Sequence, residues 1–132
     1  MRGNIVVEHE IMNFLLGGSS KIASAALAIL LKKYWHVMSN IEKNVCPFCG
    51  KSFSKPRWLR HHLSISRCRD ELDSVVKDVA EMYTKIRNLY TRSGGRYVVC
   101  LANSKCLYFY TSDEFVKWVL DNWDIIFNSS VK

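Results

Sequence analysis

Residues 46–68, CPFCGKSFSKPRWLRHHLSISRC, decide how the chain is read. Two residues separate Cys46 from Cys49, twelve separate Cys49 from His62, and five separate His62 from Cys68. A C-x2-C turn puts two thiolates on one side of a tight hairpin, close enough for two corners of a tetrahedron. A helix after it brings an imidazole and a fourth ligand to the other two. Cys46, Cys49, His62 and Cys68 therefore read as a closed set for one structural Zn2+. His61 is the rival ligand. The twelve-residue interval and the register from Leu59 favour His62 and leave His61 exposed on the helix. Six positions along an ideal helix rotate a side chain by about 240°. The helix must therefore open or tighten near Ser64-Ile65-Ser66 to bring Cys68 back, and serine hydroxyls, which compete for backbone groups, suit such a break. A redox C-x-x-C pair is the other reading, and no βαβ pattern surrounds it.

The apolar positions fall in register with the ligands. Gly50 stands at the knuckle, Phe53 follows Cys49 after three residues, Leu59 follows Phe53 after five, and His62 follows Leu59 after two. In these features the window resembles the two-Cys, two-His zinc finger, here as a CCHC variant with Cys68 in place of the second His. The likeness covers 23 of the 132 residues. It implies an inserted ββα unit whose helix presents its N-terminal half to the major groove of DNA, reading from helix positions −1, 3 and 6. By register these are Lys55, Trp58 and His61, flanked by Arg57 and Arg60, with Pro56 at the first helical position. The DNA-contacting set that follows is Lys51, Lys55, Arg57, Trp58, Arg60, His61 and Arg67. Trp58 fits base reading poorly, because one indole donor makes no bidentate contact. It reads better as an anchor, packed on the rest of the domain or on a partner. One finger spans about three base pairs, and no second C-x2-C follows, so duplex recognition would need a second element or a dimer.

Charge agrees with this reading. Between Asn44 and Arg69 lie six basic residues (Lys51, Lys55, Arg57, Arg60, Arg67, Arg69) and no acidic one. The other 106 residues hold 13 basic and 12 acidic side chains, so the +7 of the chain is local. A basic run by itself is usually a solvated face; the metal pattern in the same segment shifts the balance towards a phosphate-binding footprint. Three thiolates and one dication trim its charge to about +5.

At 132 residues, 48% hydrophobic, with six Phe, six Tyr and four Trp, the chain is globular. Disordered, collagen-like and coiled-coil classes are excluded. The longest apolar run, Ile22–Leu31, is far short of the roughly 18 residues of a membrane span. Glu8 and Glu10 stand where a signal peptide would be cationic and then apolar. Five Cys do not suggest a secreted disulfide framework. The expectation is an intracellular, non-secreted protein with no membrane association and no small-molecule substrate. An enzyme is not expected, since there is no phosphate loop, no H-E-x-x-H and no nucleophile motif.

The remaining chain reads as an α+β fold, a mostly helical domain with one inserted finger and a C-terminal β-hairpin plus helix. An N-terminal helix pair occupies 1–42, with helices over Glu8–Leu16 and Lys21–Val37 separated by Gly17-Gly18-Ser19-Ser20, Ser20 being the N-cap. The finger occupies 43–69. Residues 70–132 pack with 1–42 as one domain. A long helix runs from Asp70 to about Arg92, with a stripe of Leu72, Val75, Val76, Val79, Met82, Tyr83, Ile86, Leu89 and Tyr90 and a stop at Ser93-Gly94-Gly95. A hairpin follows, Tyr97–Leu101 and Cys106–Tyr110 around 102–105. The last helix is capped by Ser112 and carries Phe115, Trp118, Val119, Trp123, Ile126 and Phe127. An odd hairpin loop would set Cys100 opposite Cys106 and allow a disulfide; in a reducing cytosol the pair is expected as buried thiols.

The function expected is a zinc-stabilised DNA-binding protein, a small transcriptional regulator acting on double-stranded DNA, with a homodimer through the long or the C-terminal helix as one way to extend the site. The alternative is a zinc-structured protein-interaction module with Trp58 as docking anchor, and RNA binding through the hairpin is a third. The compact form, with one finger embedded in a helical domain, also looks like regulators encoded by archaeal viruses and plasmids.

Overall fold

Leu72, Val75, Val76, Val79 and Ile86 recur at helical spacing and are all buried on one side of a single long helix. The rest of the chain is arranged around that stripe. The computed structural model describes residues 2–17, 22–101 and 105–128, with backbone alone for 2–5 and 128. In chain order the elements are α1 (Arg2–Leu15), α2 (Ser24–Lys33), α3 (Trp35–Glu42), α4 (Pro56–Ile65), α5 (Cys68–Arg87), β1 (Tyr90–Ser93), β2 (Arg96–Cys100), β3 (Cys106–Phe109), α6 (Ser112–Asp121) and α7 (Trp123–Asn128). The fold is α+β, mostly helical with one antiparallel sheet in the order β1-β2-β3. Among the described residues no helix is long and apolar enough to cross a membrane.

Helices α1, α2 and α4 all pack on α5, and α6 packs on α2. The long-helix stripe is therefore covered within one copy of the chain. Acidic Asp70 and Glu71 open α5 and basic Lys85 and Arg87 close it, which matches the helix dipole. The sheet lays one face on α6 through an aromatic cluster. Phe115 is fully buried, stacked on Tyr97 at 4.7 Å, tilted against Tyr90 at 4.7 Å, and edge-on to Phe109 at 5.9 Å.

Four elements depart from the sequence expectation. The single helix over Lys21–Val37 is two helices, broken at Tyr34, whose φ −123° and ψ 31° are not helical. The cause is tertiary: the Tyr34 hydroxyl donates to Asp78 on α5, and the Lys33 ammonium lies 2.9 Å from the same carboxylate. The long helix stops at Arg87 rather than near Arg92, and Tyr90–Ser93 forms a third strand paired with β2, Tyr90 opposite Val99. Gly94 and Gly95, expected to end a helix, instead make a two-residue hairpin turn with φ of +59° and +80°. Positive φ at both central positions is what a type I′ turn demands. The last helix is capped by Thr111, not Ser112, in a capping box with Glu114, and it breaks at Asn122 before α7.

Cys100 and Cys106 depart from expectation as well. They form a disulfide and are not buried thiols. Cys100 is exposed and Cys106 half-buried, and the odd connection 101–105 sets them directly opposite in the β2–β3 register. The expected cap Ser20, the helix start at Lys21, and loop residues 102–104 lie outside the described residues.

Candidate metal centre

The knuckle is built on backbone bonds. The Val45 amide donates to Asn40 at the end of α3 (2.9 Å), Cys46 to Lys51 (2.8 Å), Gly50 to Cys46 (2.9 Å) and Phe53 to Asn44 (2.8 Å). Asn44 and Gly50 both take positive φ, +63° and +79°, and so turn the chain tightly enough to bring Cys46 and Cys49 to one side. The two strands of the expected ββα hairpin reduce here to one bridge, Val45 to Ser52.

Helix α4 follows from an extended Lys55, with Pro56 at its first position, where a missing N–H costs nothing. Leu59 and Leu63, one turn apart, are buried against α5, and this orients His62 towards the knuckle. Phe53 backs the imidazole, ring centroids 5.1 Å apart. The helix opens at Ser66, which is extended (φ −97°, ψ 176°). The Ser66 hydroxyl then accepts the Cys68 amide at 3.2 Å. That amide belongs to the first residue of α5, which begins two residues before the expected Asp70. The fourth candidate ligand thus belongs to the scaffold helix itself.

These pieces bring the Sγ atoms of Cys46, Cys49 and Cys68 and a ring nitrogen of His62 within 4.8 Å of one another. Cys49 Sγ lies 3.5 Å from His62 Nε2. In a tetrahedral site with Zn–S of about 2.3 Å and Zn–N of about 2.0–2.1 Å, the S-to-N edge is about 3.6 Å. The Cys3His group can hold one metal ion, and its soft donors suit zinc better than a hard, oxygen-seeking cation. Cys46 and Cys68 are buried, Cys49 is exposed and His62 half-buried. A hydrogen bond from the Lys51 backbone holds the Cys49 thiol below its ordinary range. Burial, reinforced by the neighbouring Cys46 thiol, pushes Cys68 up to about 11. The buried thiol must lose its proton to become a ligand, so a bound cation has to supply the charge that makes a buried thiolate tolerable.

The expected DNA-contacting residues are all exposed, but they divide between two sides of α4. Lys51, Trp58 and His61 border a shallow groove together with Phe53, His62 and Ile65. Lys55, Arg57 and Arg60 surround Pro56 at the helix start. Arg67 lies apart, at the joint between α4 and α5. Trp58 is not packed inside the chain. It is 49% exposed, with the Arg57 guanidinium 5.3 Å from its ring centre. Arg60 also borders a cleft of about 410 Å³ between α1, α3 and α4, walled by Phe14, Leu16, Trp35 and Ile41. The break expected near Ser64-Ile65-Ser66 falls at Ser66, whose hydroxyl bonds the Cys68 amide. Sequence reasoning missed the apolar cleft, whose walls come from three separate helices. Comparison with protein-family models, curated proteins and solved structures finds no match to this chain.

Proposed function

We propose that the chain is a zinc-stabilised DNA-binding protein, a small regulator of transcription that contacts duplex DNA through the basic face of α4. The observation that carries this reading is the acid-free run Asn44–Arg69, whose exposed cations Lys51, Lys55, Arg57 and Arg60 lie on and beside one helix whose last turn carries His62 of the metal-binding cluster. An acid-free cationic surface attracts phosphate and releases counterions when it binds. Arg57 and Arg60 supply forked donors for phosphate or guanine edges. The metal is structural, because four protein ligands complete a tetrahedral shell and leave no position for a reacting water. No catalysis is assigned. A homodimer that extended the DNA site would use a surface other than the α5 stripe, which is already covered within one copy.

Titration of labelled duplex DNA against the metal-loaded protein at several salt concentrations tests the proposal. Binding should weaken steeply with salt, and replacing both Arg57 and Arg60 by Ala should flatten the log–log salt slope by about 2. No duplex binding even at low salt overturns it. One observation favours the second reading, a protein-docking module. Trp58 and Ile65, the latter 70% exposed, present an apolar edge beside the groove. Under that reading Trp58→Ala is the damaging change, and the double arginine variant is nearly silent.

A further inference from the structure

The cations outside the metal segment are not evenly spread. Between Met82 and Ser112 there are five basic residues (Lys85, Arg87, Arg92, Arg96, Lys105), no acidic one, and five of the six Tyr of the chain. Outside this window and Asn44–Arg69, eight basic residues face twelve acidic ones. The whole positive excess therefore lies in two places. They are at opposite ends of α5, which begins at the metal ligand Cys68 and leads at Arg87 into the sheet. Twenty helical residues span about 30 Å, so one ligand-binding surface does not account for the other.

Register assigns the faces of the sheet. Tyr90, Tyr97, Val99 and Phe109 point inward to Phe115. Paired residues share a face, so Thr91, Val98 and Tyr108 make one rung of the outer face, Ser93 with Arg96 a second, and the Cys100–Cys106 disulfide a third. Tyr108 is 50% exposed and Tyr110, two positions on, is 66% exposed. The Arg96 guanidinium packs on the Tyr108 ring at 5.3 Å, holding it upright and leaving a fixed positive charge beside it. Two acids, Asp113 and Glu114, follow Tyr110 at the start of α6, and Glu114 has an oxygen engaged by the Tyr110 and Thr111 amides.

We infer that this outer sheet face is a second nucleic-acid contact, in which single-stranded DNA or RNA stacks bases on Tyr108 and Tyr110 while Arg96 neutralises the adjoining phosphate. An exposed aromatic ring recognises unpaired bases because every base offers a π-face, whereas a duplex keeps those faces stacked on each other. The disulfide across β2 and β3 keeps the platform rigid, so little ordering entropy is lost on binding. The inference stands apart from the finger reading, since it involves other residues at the other end of the molecule.

The experiment is fluorescence anisotropy of the full metal-loaded chain with labelled oligo-dT, oligo-U and a duplex of equal length. Four proteins are compared: the unaltered chain, Tyr108→Ala, Tyr110→Ala, and the double variant Arg57→Ala with Arg60→Ala. Both tyrosines are surface residues, and circular dichroism confirms that the variants fold. Each tyrosine variant should weaken oligo-dT or oligo-U binding at least about fivefold, with duplex binding unchanged. The double arginine variant should do the reverse. Single-strand binding that is absent, or that the arginine variant abolishes and the tyrosine variants leave within twofold, overturns the inference. Loss of duplex binding alone would count only against the finger reading.

Discussion

His62 and His61 are adjacent, yet the fold gives them different surroundings. His62 has Cys49 Sγ 3.5 Å from its Nε2 and Phe53 behind its ring. His61 is exposed, and its carbonyl accepts the Ser64 hydroxyl at 2.8 Å. His62→Ala should therefore abolish stoichiometric metal loading, because it removes one corner of the tetrahedral set, whereas His61→Ala should leave loading intact. Competition against a chromogenic chelator measures both, and equal losses would mean that the ligand is misassigned. The four residues of the Cys3His group were legible from spacing because a tetrahedral site constrains residues that are close in sequence. The exposure of Trp58 was not legible. Whether an aromatic residue on a short helix is covered depends on helices far away in the chain, and here α5 covers Leu59 and Leu63 instead.

At the scale of elements, the joint between α2 and α3 illustrates what local pattern leaves out. The apolar spacing from Ile22 to Val37 is compatible with one helix, and the break at Tyr34 depends on Asp78, forty-four residues away. The burial of Asp78 raises its pKa, but bonds from the Tyr34 hydroxyl and the Lys33 ammonium outweigh burial and hold it below the ordinary carboxylate range. A carboxyl depressed in the folded state contributes stability above its unfolded value, about 3.9, and loses it as pH falls through the folded value. Denaturation followed across the acid range should show the unaltered chain losing more stability below about pH 4 than Asp78→Asn. Parallel acid limbs would remove the joint from this role. Strand β1 was hidden for a different reason. Gly-Gly after a helical stripe is equally a helix stop and a type I′ turn, and only pairing with β2 decides between them. Most of the buried face of α5 (Leu72, Val75, Val76, Val79 and Ile86) was readable because its period is local and long, while Ala80 was missed and Leu89 and Tyr90 lie beyond the helix end.

Across the whole molecule, the Cys3His group, able to hold one metal ion, joins three helices. The knuckle is bonded to the end of α3, His62 is on α4, and Cys68 begins α5. Removing the metal should loosen this end of the molecule while the Phe115 cluster at the other end stays packed. An ion present at about a thousand times its dissociation constant adds about 4 kcal/mol, so excess chelator should lower the melting temperature by on the order of 10 °C. Most of the far-ultraviolet helical signal should survive below the new midpoint. An unchanged midpoint would rule out a structural ion.

Cys68 is at once the last member of the Cys3His group and the first residue of the 20-residue helix α5. Metal knuckles that close on their own short helix can be copied in series, each unit carrying its own ligands and cover. This one cannot be lifted out or duplicated so simply. A copy ending at Cys68 would carry Leu59 and Leu63 without the helix that shields them, so lengthening such a protein by gene duplication would mean repeating the scaffold as well as the knuckle.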